Sequence, residues 1–181
     1  MEGKKLSVMF QDEARFGRIT LVSDCWAPLG VRPQVPQQAI REYTYAYAAV
    51  APATGALDTL ILPNMAGGTL GVFLAELSKR RQEELVLLVM DGAPCHHSKT
   101  TLKIPQNIQL CFLPPYSPQL NPTENLWDEL REKFFRNTVF KNMTAVEKRL
   151  VKGLMALENN PKIVQSIAGF PWITKILNEL V

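Results

Sequence analysis

Glu84-Leu85-Val86-Leu87-Leu88-Val89-Met90 is the most apolar run in the chain, bounded by charge on one side and by Asp91-Gly92 on the other. It is far shorter than the roughly 20 residues that span a membrane. Apolar at every position rather than at alternate ones, it reads as a strand buried on both faces. A strand of that kind needs cover above and below, which directs the fold towards a sheet held between helical layers.

The neighbouring segments supply those layers. Residues 6–12 form a first strand with Asp12 at its carboxyl end. Residues 18–40 carry Pro28, Gly30, Pro33 and Pro36 and read as hairpin arms and loops. Residues 43–50 alternate aromatic or β-branched with small side chains, Thr54-Gly55 marks a turn, and residues 56–62 return as a strand. After Gly67-Gly68, the side chains Leu70, Phe73, Leu74 and Leu77 fall at helical spacing within 69–81. Beyond the apolar strand come a short helix near 97–102, a strand at 108–113 and a proline-rich loop at 114–118. Helices follow at 122 to about 136, 144–157 and 161–168, the last opened by Asn160-Pro161. Antiparallel hairpins followed by alternating strands and helices specify an α/β chain with a mixed five-stranded sheet and helices on both faces.

The 181 residues suit a single domain over 1–181, with a core of about 6–140 and a C-terminal helical extension of about 141–181. With 46% hydrophobic and 20% charged residues, the composition excludes a disordered or fibrous chain. No segment has the apolar length of a membrane span, and the start lacks the h-region of a signal peptide. Three scattered cysteines, Cys25, Cys95 and Cys111, make no disulfide framework and fit a reducing cytoplasm. The net charge of +3 is compatible with a polyanionic partner without requiring one.

Chemistry concentrates at the carboxyl ends of the strands, where ligands of open α/β sheets bind. Asp12 and Asp91 each end a strand, and on parallel neighbours they would lie about 4.8 Å apart. Each also has a plain reading as a strand-end or turn residue. Glu124 lies in Asn121-Pro122-Thr123-Glu124, with Asn as N-cap, Pro at the first helical position and Glu three residues after the cap. Spacing leaves that glutamate open between a capping box and a site beside the sheet. Trp127, Leu130 and Phe134 form the apolar stripe of the same helix. His96 and His97 follow Asp91 closely, and no CxxC or HxxxH spacing supports zinc. There is no GxxxxGK[ST] loop and no GxSxG elbow, so nucleotide hydrolysis and serine-hydrolase chemistry lack support.

Three stretches carry a resemblance: Phe10-Gln11-Asp12-Glu13-Ala14-Arg15-Phe16, Met90-Asp91-Gly92-Ala93-Pro94-Cys95-His96, and Leu113-Pro114-Pro115-Tyr116-Ser117-Pro118-Gln119-Leu120-Asn121-Pro122-Thr123-Glu124-Asn125-Leu126-Trp127. In that order, over roughly residues 6–140, they resemble the DDE transposases of the bacterial insertion-sequence branch of the Tc/mariner superfamily. The third stretch is the most specific. The resemblance implies a ribonuclease-H-like fold and metal-dependent DNA strand cleavage and transfer. It also implies a triad of Asp12, Asp91 and Glu124 holding two Mg²⁺ or Mn²⁺ ions, with His96 and Asn121 as auxiliary residues. The 32 residues between Asp91 and Glu124 are slightly fewer than the family's usual spacing. Carboxylates arranged for two ions should converge around positions ~3.5–4 Å apart.

The implied partners are DNA, both transposon ends and target, and a second copy of the chain in a homo-oligomer, most simply a dimer. The expected place is the bacterial cytoplasm at the nucleoid. Relatives carry an N-terminal helix-turn-helix module, whereas here the first catalytic strand starts at residue 6, so a DNA-binding module encoded upstream is expected. Position alone nominates Arg15, Arg18, Lys99, Arg131 and Lys133 for the DNA backbone. The alternative reading is a non-catalytic transposase fragment that regulates by binding DNA or full-length transposase. A ribonuclease-H-like host nuclease would not explain the Leu120-Asn121-Pro122-Thr123-Glu124 context.

Overall fold

The apolar run becomes β4, Glu84–Met90, and it does lie inside a sheet, with β1 (Lys5–Ile19) on one side and β5 (Ile108–Phe112) on the other, both parallel to it. The structure is a computed structural model that describes residues 3–93 and 102–179. β2 (Ala39–Ala51) runs antiparallel to β1, and β3 (Ala56–Leu62) antiparallel to β2, giving the order β3-β2-β1-β4-β5. This is the mixed five-stranded sheet expected.

Period-two alternation divides the strands between two cores. On one face Met9, Tyr47, Ala49, Val86, Leu88 and Met90 meet Leu70, Phe73, Leu74 and Leu77 of α1, Gly67–Arg80. On the other, Phe10, Ala14, Phe16, Ala46, Ala48 and Val50 meet a layer of C-terminal helices. These are α2 (Thr123–Leu130), α3 (Met143–Glu158), α4 (Pro161–Ala168) and α5 (Pro171–Glu179). Alanine is a poor strand former in general, but on a strand covered on both sides its small side chain lets a helix approach the sheet closely. The short helix expected near 97–102 falls almost entirely outside the described residues.

Three differences from the sequence reading have physical causes. The first strand does not end at Asp12. It continues to Ile19 because Asp12 to Gly17 pair in register with Ala48 to Tyr43 of β2, with Ala14 and Phe16 turned into the core. The helix expected to reach about Arg136 is α-helical only to Leu130 and then winds a π turn over Arg131–Phe135, closed by the Arg136 N–H donating to Arg131 O at 2.9 Å. That extra residue puts Phe135 in the core, 4% exposed, and leaves Phe134 half-buried. There is also a further helix, α5, whose Ile173 and Leu177 close the second core.

The β2–β3 hairpin carries a test of how tightly α4 seats on the sheet. Gly55 has φ +72°, and a Cβ there would lie 2.0 Å from the backbone oxygen of Pro161, the first residue of α4. Gly55→Ala combines a left-handed cost of ~1–2 kcal/mol with forced displacement of that helix. A loss of at least ~2 kcal/mol, or roughly 4–8 °C in Tm, is expected. A thermal melt matching that of wild type would show that the hairpin and α4 part easily.

Candidate active site

The site forms where the parallel ladder stops and the antiparallel one continues. β1 and β4 pair from Lys5↔Glu84 to Phe10↔Val89. Asp12 and Asp91 each stand two residues beyond that last pair, at the same end of the parallel ladder. Glu124 reaches them from the first turn of α2. All three line one cavity of about 470 Å³, together with Asn121 and the loop from Leu113 to Pro118. The structure thus brings Asp12, Asp91 and Glu124 together on one side of the sheet.

Hydrogen bonds from α2 to β1 fix that arrangement. Asn121 Nδ2 donates to Gln11 O at 3.0 Å and Thr123 Oγ1 donates to Phe10 O at 3.0 Å, both bonds buried. Asn121 Oδ1 also accepts the Thr123 N–H at 3.2 Å, and its backbone oxygen accepts the Glu124 N–H at 3.2 Å. The N-cap position is thus Pro122 rather than Asn121, because α2 starts at Thr123, and Asn121 supports the helix start from one residue further back. The reciprocal half of the capping box is absent, because the Asn121 N–H donates to Pro118 O at 2.9 Å. Glu124 faces the cavity instead.

Trp127 has a second role that the apolar stripe concealed. The side chain is 1% exposed, yet its Nε1 donates to Asp12 Oδ2 at 2.9 Å. Its ring meets Phe16 edge-on at 6.1 Å, and Phe16 in turn packs on Phe135 at 4.9 Å. A packed aromatic cluster thus aims one N–H at one carboxylate oxygen. A tryptophan three residues after the acid was the available signal, but an indole N–H gives no sign of its partner in sequence.

Burial pushes the Asp12 carboxyl up to about 7, from an ordinary 3.8, and the nearby charge of Glu124 adds to the rise. The Trp127 hydrogen bond opposes it, and Glu13 raises it further by charge. Glu124 is also raised, by burial first, with Arg131 lowering it and Asp128 and Asp91 raising it. Asp91 is exposed, and its Oδ1 accepts the Ala93 N–H at 3.0 Å. Among the described residues no three acidic, histidine or cysteine side chains close tightly enough to hold one ion. The expected convergence is therefore looser than a formed metal centre. Trp127 holds the Asp12 carboxyl and the Ala93 N–H that of Asp91.

Two expected outcomes follow from this crowding. In metal-free protein the folded chain keeps a proton on Asp12 that the unfolded chain loses above its ordinary value. That contribution to stability is complete below pH ~4 and lost as the pH rises through about 7. Asp12→Asn removes it, so mutant and wild-type melts should diverge progressively across that window. A constant difference would refute the assignment. Glu124→Gln keeps the side chain's size and deletes a charge, so metal-free Tm should be unchanged or slightly raised. The rise in Tm on adding Mn²⁺ should shrink, since ligand binding to the folded state stabilises by RT ln(1 + [L]/Kd). If the mutant keeps the full Mn²⁺ shift, Glu124 is no ligand.

The basic residues nominated from position differ in their freedom. Arg15 is exposed and lies over the Tyr43 ring at 4.3 Å. Arg131 sits beside Phe16, 5.7 Å from its ring, and pairs with Asp128 at 3.4 Å. Lys133 pairs with Glu129 one turn back. Arg18 is engaged within the fold, donating to Glu42 at 2.8 Å, to Phe140 O at 3.0 Å and to Lys141 O at 2.8 Å, and so ties β1 to the segment before α3. The two carbonyl partners, more than 120 residues away, left no trace in the local sequence. His96 and Lys99 lie outside the described residues.

Comparison with known proteins accords with this geometry. A family model described as DDE superfamily endonuclease matches residues 7–147. An uncharacterized protein of Sinorhizobium fredii, y4pE/y4sA, is 32% identical over 131 residues, covering 72% of this chain and 96% of that one. Among solved structures, the Mos1 transposase paired-end complex with left transposon end aligns at TM-score 0.60 and 17% identity, over 90% of this chain and 55% of that chain. The Mos1 mariner paired end complex with Mn aligns at 0.59 and 16%, over 91% and 56%. At such identities the likeness is one of fold. The chain spans about half the length of the Mos1 chains.

Proposed function

Since the chain belongs to the DDE superfamily endonuclease family, we propose that it is a transposase catalytic domain that cleaves and joins DNA strands, with Asp12, Asp91 and Glu124 as its catalytic triad. The observation carrying this is the meeting in one cavity of three carboxylates, from the middle of β1, the residue after β4 and the first turn of α2. An all-oxygen donor set suits a hard divalent cation, Mg²⁺ or Mn²⁺, which keeps waters for a phosphate to displace. The raised proton affinity of Asp12 fits the same assignment, because a buried carboxylate beside another charge favours any arriving positive charge. Two such ions would supply Lewis-acid stabilisation of the leaving oxygen and a nucleophile activated near neutral pH.

The protein's own residues do the rest. Trp127 Nε1–H and the Glu13 backbone N–H both donate to the Asp12 carboxylate and hold it in place beside the cavity. Asn121 and Thr123 lock α2 to β1, so Glu124 keeps its distance from the strand ends. Phosphodiester attack, by water in cleavage or by a DNA 3′-hydroxyl in strand transfer, then depends on in-line placement of the scissile phosphate. Arg15, Arg131 and Lys133 are the candidates for the flanking phosphates, and their binding would weaken steeply with salt. His96, as an auxiliary residue, and Lys99 belong to the same proposal.

The chain would act as one catalytic domain, paired with a second copy and served by a separately encoded DNA-binding module in the bacterial cytoplasm. No helix among the described residues is long and apolar enough to cross a membrane. The test is cleavage and joining of end-labelled DNA with Mg²⁺ or Mn²⁺, by the chain alone and with a DNA-binding module in trans. Metal-dependent nicking by wild type supports the reading. DNA binding without any nicking under either condition would favour a non-catalytic regulator.

A further inference from the structure

Among the described residues, two that are not glycine have left-handed backbones, Asn137 and Tyr116, and only the first has a local reason. Asn137, at φ 52°, is of a type that tolerates this region, and its amide bonds both the N–H and the C=O of Ser23. Tyr116, at φ 57°, is a bulky residue in the same conformation, with its side chain 101% exposed. Burial of the ring therefore does not offset the strain. Glycine or asparagine would make the turn at lower cost. Pro114, Pro115 and Pro118 restrict φ on both sides, and Ser117 Oγ bonds Pro115 O at 3.3 Å, so the loop is stiff. Among the described residues lining the carboxylate cavity, Tyr116 is the one aromatic. An unfavourable backbone that holds an aromatic ring in water beside a reactive site points to a ligand for that ring.

Taking the catalytic reading above as its basis, we propose that Tyr116 is a substrate-binding residue that stacks on a nucleobase flanking the scissile phosphodiester after that base has left the duplex stack. The cavity, about 470 Å³, is of small-ligand size and holds Tyr116 together with the three carboxylates. A base that leaves the stack beside a phosphodiester held at those carboxylates would lie next to the Tyr116 ring. A rigidly presented ring restores the lost stacking, for any base, because every base has a π face. Tyr116 would thus select for distorted or end-proximal DNA over intact helix, without reading its sequence.

The test uses the full chain, Mn²⁺ and duplex ends with a short overhang, carrying 2-aminopurine or an abasic residue beside the cleaved bond. Tyr116→Phe should bind and cleave like wild type. Tyr116→Gly and Tyr116→Asn, both compatible with the backbone, should melt at or above wild type and raise KM by about 5- to 150-fold on intact DNA. They should also abolish the change in 2-aminopurine fluorescence on binding. On abasic DNA, wild type and both variants should become equal. A Tyr116→Gly that matches wild type on intact DNA overturns the inference while leaving the catalytic reading in place. Equal losses on intact and abasic DNA, or divergence between the Gly and Asn variants, assign the effect to the loop and also overturn it. If wild type neither binds nor cleaves any of these DNAs, the catalytic reading fails and this inference fails with it.

Discussion

Asp91→Asn is expected to lower metal-dependent DNA cleavage by at least ~10³-fold, about 4 kcal/mol of transition-state stabilisation, while leaving Tm within about 2 °C of wild type. Asp91 is exposed and ends β4, so the amide replaces it without disturbing either core. Its Oδ1 accepts from Ala93 N–H, and the asparagine carbonyl can accept the same bond. What changes is the charge available to a cation and, through it, the stabilisation of developing negative charge on the phosphate. Single-turnover rates on labelled DNA, with and without Mn²⁺, measure this directly. Equal metal-dependent rates for mutant and wild type would remove Asp91 from the site and the catalytic reading with it.

Trp127 is the residue at which stability and chemistry meet, and truncating it should be the most damaging single change to the fold. It fills the space between α2 and β1, against Phe16, and is 1% exposed. Trp127→Ala should cost ~3–5 kcal/mol, which for a chain of this size lowers Tm by roughly 10 °C. Trp127→Phe separates the two roles, since it keeps most of the packing and deletes the N–H. Its Tm should fall by much less. With Asp12 freed from its fixed oxygen, activity should then drop by roughly 10- to 100-fold, the scale seen when the outer support of a ligating group is removed. If Trp127→Phe keeps full activity, the bond to Asp12 has no part in positioning the carboxylate.

Much of this arrangement is legible in the chain because its signals are local. The unbroken apolar run of β4 requires two covered faces, and the Asn-Pro pair before Glu124 marks a helix start. What is hidden depends on partners distant in sequence. β1 runs past Asp12 because β2 lies beside it, and the alternation of Glu13 and Arg15 with Ala14 and Phe16 is a strand signal too short to carry that extent alone. A π turn leaves no mark on an apolar stripe until packing selects Phe135 over Phe134. Arg18 looks like any free surface cation until the carbonyls of Phe140 and Lys141 arrive beside it. The meeting of Asp12, Asp91 and Glu124 is intermediate: each acid has a local context, but the parallel pairing of β1 with β4 and the bonds from Asn121 and Thr123 to β1 make them neighbours.

That pairing also sets an order of events for a newly made chain. The β1–β2–β3 meander closes through connections of 19 residues, between Ile19 and Ala39, and of four, between Ala51 and Ala56. The partnership of Lys5 with Glu84 needs a loop of about 80 residues to close, at a larger entropic cost, and such contacts form late. Glu124 comes later still along the chain as it leaves the ribosome. A nascent chain therefore carries Asp12 in a formed hairpin well before it has the other two acids beside it. On the proposed assignment, a chain that cuts DNA would stay harmless through most of its own synthesis, because the third acid joins the other two only when the last third of the molecule locks onto the first strand.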